Sequence, residues 1–304
     1  MNGGPSTVIA LIENEERRFY ENFDPFYFYT LSQAIGQSSN GEIRVIDKET
    51  EEKIDNHEIL EKLTKSQNKI SEYQVFMTRA LRYFCAETLL LLLVSGPQTS
   101  PFIRSASLIK PREFGTIVRA IADKKIPEGS TIPKNTRDLS FLEWLSEQCF
   151  GQATWDDEIS WDSLVTLISE EMKLLQNRGA LNAFKHGKPK SFGDGLGLQV
   201  KNDSGEYVPL NNIIDGFNWI EWNETEGKEF SLSFNTEELN PEQDGKRVFA
   251  VGLLMNAICQ VRLMQIDKTS NSQIHLPNDF ETGLEVKRQK FSFNFEVSKE
   301  HNET

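Results

Sequence analysis

The sequence predicts a mainly α protein, a helical bundle over residues 1–190 followed by a small α+β part over 191–304. Three observations carry that expectation. Long stretches before residue 190 place apolar side chains at steps of three and four, the spacing of one helix face. After residue 191 serine and asparagine replace leucine, and two segments alternate in the manner of strands: KEFSLSFN, with Phe230, Leu232 and Phe234, and KFSFNFEV, with Phe291, Phe293, Phe295 and Val297. Between these strands, Lys246 to Ile266 forms one long apolar helix that has to dock on the sheet or in the bundle.

In chain order, Ile9, Leu11, Ile12, Phe19, Phe23 and Tyr27 belong to two helical pieces bent at Pro25, because proline removes a backbone donor. GEIRVID reads as a short exposed strand. A helix or broken helix then runs from Asp55, a candidate N-cap, to Gly96-Pro97, and it becomes apolar all round near its end. Glu87 lies in that end, a costly place for a carboxylate unless it reaches the surface or meets a base, for which Arg178 and His186 are the candidates in the expected ligand site. Pro97, Pro101 and Pro111 mark a loop, Arg112 to Ala122 a short helix, and KKIPEGSTIPKNTRD a surface excursion. Asp138 or Ser140 caps the next helix, with Phe141, Leu142, Leu145 and Cys149 on one face and Trp144 on its flank. Later, GLQVK and EYVPL pair around the turn NDSG, and FNWIEW is a further strand. Its Trp219 and Trp222 serve either as core or as a stacking platform for bases.

With 46 acidic against 33 basic side chains the formal charge is −13, so attraction to a nucleic-acid backbone or an anionic membrane is disfavoured over most of the surface. Any phosphate contact has to be local. Cys85, Cys149 and Cys259 are scattered among apolar neighbours, which suits buried thiols in a reducing compartment. The histidines at 57, 186, 275 and 301 show no metal-ligand spacing, so neither a metal nor another cofactor is expected. No serine, cysteine or paired-carboxylate arrangement for catalysis stands out. The N-terminus lacks a basic leader region, and the longest apolar run, Leu89 to Val94, is far shorter than the ~20 residues of a membrane span. The expectation is a cytoplasmic protein with no membrane partner.

The stretch that gathers the most chemistry runs from Trp161 to Gly197. A long amphipathic helix is expected there, with Leu164, Ile168, Met172, Leu175, Gly179, Asn182 and His186 on one stripe that turns polar at its end. At about 100° per residue, Arg178, Asn182, Lys185 and His186 share an arc of about 100°. The helix should stop at His186-Gly187, where glycine can adopt the left-handed cap and Pro189 cannot continue. Lys185 and His186 would then neutralise the helix end without any function. In the functional reading the same four residues, with Lys188 and Lys190 of the following loop, form a local anion pocket whose natural ligand is a phosphate.

RGALNAFKHG, closing a long helix in a helical context, resembles the HEPN superfamily, whose bundles carry an arginine, a polar residue and a histidine on a late helix. The resemblance spans residues 55–190 and maps the arginine onto Arg178, the polar residue onto Asn182 and the histidine onto His186. In active members it implies metal-independent RNA cleavage, with the histidine moving protons, the arginine stabilising phosphate charge, and a site composed across a homodimer. In other members it implies a noncatalytic module that binds RNA or nucleotides. Seven residues separate Arg178 from His186, where the family has four to six, and this favours the noncatalytic form. A looser resemblance, to bacterial proteins that end a helix in Asn-x-x-Lys-His-Gly, fits Asn182, Lys185, His186 and Gly187. The expected function is therefore a noncatalytic HEPN-like module with a phosphate, nucleotide or RNA site at the helix end. A ribonuclease dimerising through this helix and a purely structural or interaction protein are the alternatives.

Overall fold

The computed structural model describes residues 5–38, 69–96, 110–128, 139–151, 160–186, 190–193, 199–201, 204–209, 215–224, 229–268 and 286–296, with a few single positions between them. The helices are α1 (Pro5–Asn22), α2 (Tyr27–Ser38), α3 (Ile70–Ser95), α4 (Pro111–Ala122), α5 (Phe141–Phe150), α6 (Trp161–Gln176), α7 (Gly179–Lys185) and α8 (Pro241–Asp267). The strands are β1 (Lys190–Gly193), β2 (Gln199–Lys201), β3 (Tyr207–Pro209), β4 (Gly216–Glu224), β5 (Glu229–Glu238) and β6 (Arg288–Glu296). The protein is mostly helical with a small antiparallel sheet towards its C-terminus. Its contacts do not divide at one boundary near 190. They define two units, each assembled from three separate segments: Met1–Gln37, Ala80–Gln176 and Glu242–Leu284 in one, Ser38–Arg79, Asn177–Pro241 and Glu285–Thr304 in the other. The strand expected in GEIRVID and the cap at Asp55 lie outside the described residues.

In the helical unit, α1 and α2 meet at the bend expected around Pro25, where the Asp24 side chain accepts from the Phe26 N–H at 2.9 Å. Helix α8 runs past this bend at Gly252, where a Cβ would stand 3.0 Å from the Pro25 carbonyl oxygen. α8 is long and apolar enough to cross a membrane by length and composition alone. It is nevertheless a core helix here, burying Val251, Leu254, Met255 and Ile258 together with Asp244, Arg247 and Arg262. Ser140 begins α5 with a reciprocal cap: its hydroxyl accepts from the Glu143 N–H at 3.2 Å, and Glu143 accepts from the Ser140 N–H at 2.7 Å. The buried face of α5 differs from the expected one. Trp144, Leu145, Cys149 and Phe150 are buried, while Leu142 is exposed. Ser169 of α6 donates to the Ala122 carbonyl at the end of α4, 2.7 Å away, which joins these two helices.

In the sheet unit the strand order is β1-β4-β5-β6, all antiparallel, and β2 and β3 form the separate hairpin that the NDSG turn predicts. Cross-strand register puts Phe192, Phe217, Trp219, Asn235, Glu237 and Arg288 on one face. Ile220, Trp222, Leu232, Phe234 and Phe291 share the other. Alternation in KEFSLSFN correctly pairs Leu232 with Phe234, but those residues are only half-buried. It is the polar set, Ser233, Asn235 and Glu237, that is buried. The same period of two separates Trp219, which is buried, from Trp222, which is 54% exposed, so the two tryptophans cannot form one platform.

Candidate functional site at a helix end

The expected single helix over 161–187 is two helices. α6 stops at Gln176, Asn177 and Arg178 form a turn, and α7 restarts at Gly179. The first residue of α7 is closely packed, because a Cβ at Gly179 would stand 2.9 Å from Cζ2 of Trp219. Glycine is thus the residue that lets the helix approach the sheet. α7 then buries Ala180, Leu181 and Ala183. Phe184 stacks on Phe76 with ring centroids 4.4 Å apart, and Phe76 in turn lies 4.4 Å from Phe217. Phe192 of β1 closes the cluster against Phe217 at 5.4 Å. These aromatic rings fix a helix that, at seven residues, would not hold its shape alone.

The polar row expected along this helix survives the break. Arg178 is the N-cap and His186 the C-cap; the Asn182 N–H donates to the Arg178 carbonyl and the His186 N–H to the Asn182 carbonyl, both at 3.0 Å. Arg178, Asn182 and His186 therefore follow one another one turn apart, with Lys185 beside the last. Arg178 and Asn182 are half-buried, and Lys185 and His186 are exposed. Eight residues at about 1.5 Å each set the Arg178 and His186 backbones about 12 Å apart along the axis. Lys188 lies outside the described residues, and Lys190 opens β1 opposite Trp219. Glu87 is half-buried in the helical unit, whereas Arg178, Asn182, Lys185 and His186 belong to the sheet unit.

Reading the sequence missed the charges that are most deeply buried. In the helical unit Arg82 donates from Nε and Nη2 to the Glu171 carboxylate, the closest contact being 2.6 Å, and from Nη1 to Asp244 at 3.0 Å. Arg247 pairs with Glu170 and stands 4.0 Å from Glu171. In the sheet unit Glu237 takes Arg79 at 2.7 Å on one oxygen and Arg288 at 2.8 Å on the other. Glu171, Asp244 and Glu237 have no exposed surface at all. The three carboxylates are thus sealed from water, although Arg288 and Glu170 at the edges of the clusters keep some exposure, and their role is to hold segments together. The signal that could have found them is an arginine at 79, 82 and 247 within otherwise apolar helical stretches.

Among the described residues, no group of three or more His, Cys, Asp or Glu is placed to hold a metal ion. The three cysteines are free and buried, as their apolar neighbours led one to expect. Burial pushes the Cys149 and Cys259 thiols up to about 12, and Cys85 higher still, which makes them poor nucleophiles. Comparison with protein-family models, with curated proteins and with solved structures gives no match.

Proposed function

We propose that the end of α7 is a noncatalytic phosphate site for RNA or a nucleotide, in a module of HEPN-like character. The observation that carries this reading is the row Arg178, Asn182, Lys185 and His186, half-buried at its first two residues and exposed at its last two, held on a helix that aromatic packing fixes in place. Three of these four side chains can be cationic in a chain of net charge −13, so the row is a local exception to the sign of the whole. An arginine, an amide and an imidazole at successive turns can each give a hydrogen bond to phosphate or sugar oxygens. Their span of about 12 Å suits consecutive phosphates of a strand better than one reacting phosphorus atom, which favours binding over cleavage.

The test is the affinity of the full chain for a short single-stranded RNA, measured as salt is raised. Binding should weaken steeply with salt, and Arg178→Ala should reduce it about tenfold while flattening the salt slope. Salt-independent binding, or unchanged binding by Arg178→Ala, would remove the proposal. The ribonuclease alternative requires a dimer and cleavage in EDTA that His186→Ala abolishes with binding retained.

A further inference from the structure

Arg262, near the end of α8, is buried like the arginines of the ion clusters, being 3% exposed, yet its surroundings differ in kind. Its Nη2 donates to the Gln148 carbonyl and its Nη1 to Gln265 Oε1 at 3.3 Å, and the Tyr20 side chain lies close enough to act on it electrostatically. Nε has no partner. Among the described residues Arg262 forms no ion pair. The ionisable groups that act on it are Tyr20, Cys149 and Cys259. Burial pushes all three up to about 12, so they are neutral at pH 7 and cannot balance the guanidinium. A buried charge without a counter-ion is costly, and burial correspondingly lowers the affinity of Arg262 for its proton.

The same side chain borders a cavity of about 380 Å³, within the size range of small-molecule sites. Asn14, Arg17, Tyr20, Gln265 and Lys268 also line it, all within the helical unit. Arg17 is matched by Asp267 at 2.5 Å, whereas Lys268 is exposed at the helix end. Glu16 is the carboxylate on the wall, and a second anionic group placed near it would be repelled. Tyr20 lines the same cavity, and a phenol hydroxyl can donate its proton to an acceptor there.

We propose that this cavity binds a small molecule through one carboxylate or phosphate group, which supplies the counter-ion that Arg262 does not find among the described residues and accepts a hydrogen bond from Tyr20. The full chain is melted with glycerol phosphate or with glycerate, which share a polyol body and differ in the head, and with sodium chloride at matched ionic strength. A saturable rise in Tm with one of the two, absent with chloride, is expected, and which one acts identifies the head. Arg262→Met should melt at or above the wild type without anion and lose the anion-dependent rise, whereas a purely structural arginine would lower the anion-free Tm and leave that rise in place. Should Arg262→Met not fold, Lys268→Gly, which also relieves a positive φ of 55°, and Tyr20→Phe decide the matter, each weakening apparent affinity about tenfold. Arg178→Ala should leave the response intact, which separates this site from the one on α7. No rise beyond that of chloride from either compound, or a rise that survives in Lys268→Gly and Tyr20→Phe, overturns the proposal.

Discussion

Arg82 and Arg262 are the same residue, equally buried, in the same helical unit, and they meet opposite surroundings. Arg82 has two carboxylates, from Glu171 and Asp244, and every nitrogen of its guanidinium donates to one of them. Arg262 has a backbone carbonyl and a side-chain amide, and one nitrogen left over. The difference shows how a buried charge is to be judged. Where fixed carboxylates complete it, the arginine holds segments distant in sequence in one arrangement. Where they do not, and a cavity adjoins it, the missing charge is a statement about a ligand.

The most direct way to break the contrast is to make Arg82 resemble Arg262. Glu171→Gln removes the charge that Arg82 and Arg247 share, and should cost about 3–5 kcal/mol, read as a loss of unfolding free energy in denaturant. The sheet unit offers a second instance, because Glu237 bridges Arg79 and Arg288 and is itself fully buried. Glu237→Gln should cost about 3 kcal/mol by the same reasoning. A loss below about 1 kcal/mol at both sites would mean that water reaches these clusters, and the distinction from Arg262 would collapse.

Alkaline titration sharpens the other side of the comparison. The folded protein holds the protons of Cys149, Cys259 and Tyr20 up to about pH 12, while the unfolded chain releases them near 9.0 for the thiols and 10.0 for the phenol. Folded values are raised, so the stabilisation is complete below pH 9 and is lost as pH rises through 12. Each unit of separation corresponds to about 1.4 kcal/mol per group. Chemical denaturation at stepped pH should therefore show stability falling from about pH 9 upward, and Cys149→Ala should make the fall shallower. A flat profile to pH 11 would show that these groups are not buried beside Arg262 in neutral form.

Much of this architecture can be read from the chain, and the unreadable part has identifiable causes. Local rules suffice for a cap at Asp138 or Ser140, of which Ser140 is the one used, for the bend at Pro25, the β2–β3 hairpin and the helix expected from Lys246 to Ile266, which starts five residues earlier, because each depends on residues close in sequence. The break between Gln176 and Gly179 is harder. The apolar spacing continues across it, and the ring against which Gly179 packs, that of Trp219, is forty residues further on by number. Alternation shows that Ser233, Asn235 and Glu237 share a face, but not that this polar face is the one inside, which depends on Arg79 and Arg288 arriving to meet it. Pairings such as Arg82 with Glu171 join positions 89 apart, and one sequence carries no signal that they meet. The row Arg178, Asn182, Lys185 and His186 was visible because it depends only on helical spacing.

The smallest expected effect tests whether the frame around Arg262 can be loosened apart from the ion cluster. Helix α5 supplies both the Gln148 carbonyl that Arg262 grips and the Cys149 thiol beside it, and its first turn is held by the reciprocal cap at Ser140. Ser140→Ala removes the hydroxyl that accepts from Glu143 and should cost about 1 kcal/mol. Since the cap lies on α5, and Glu171, Asp244 and Arg82 lie on other helices, the penalty should add to that of Glu171→Gln in the double variant. Departure from additivity by more than about 0.5 kcal/mol would mean that the two buried arginines share one cooperative network, and that Arg262 is balanced at a distance by the carboxylates around Arg82.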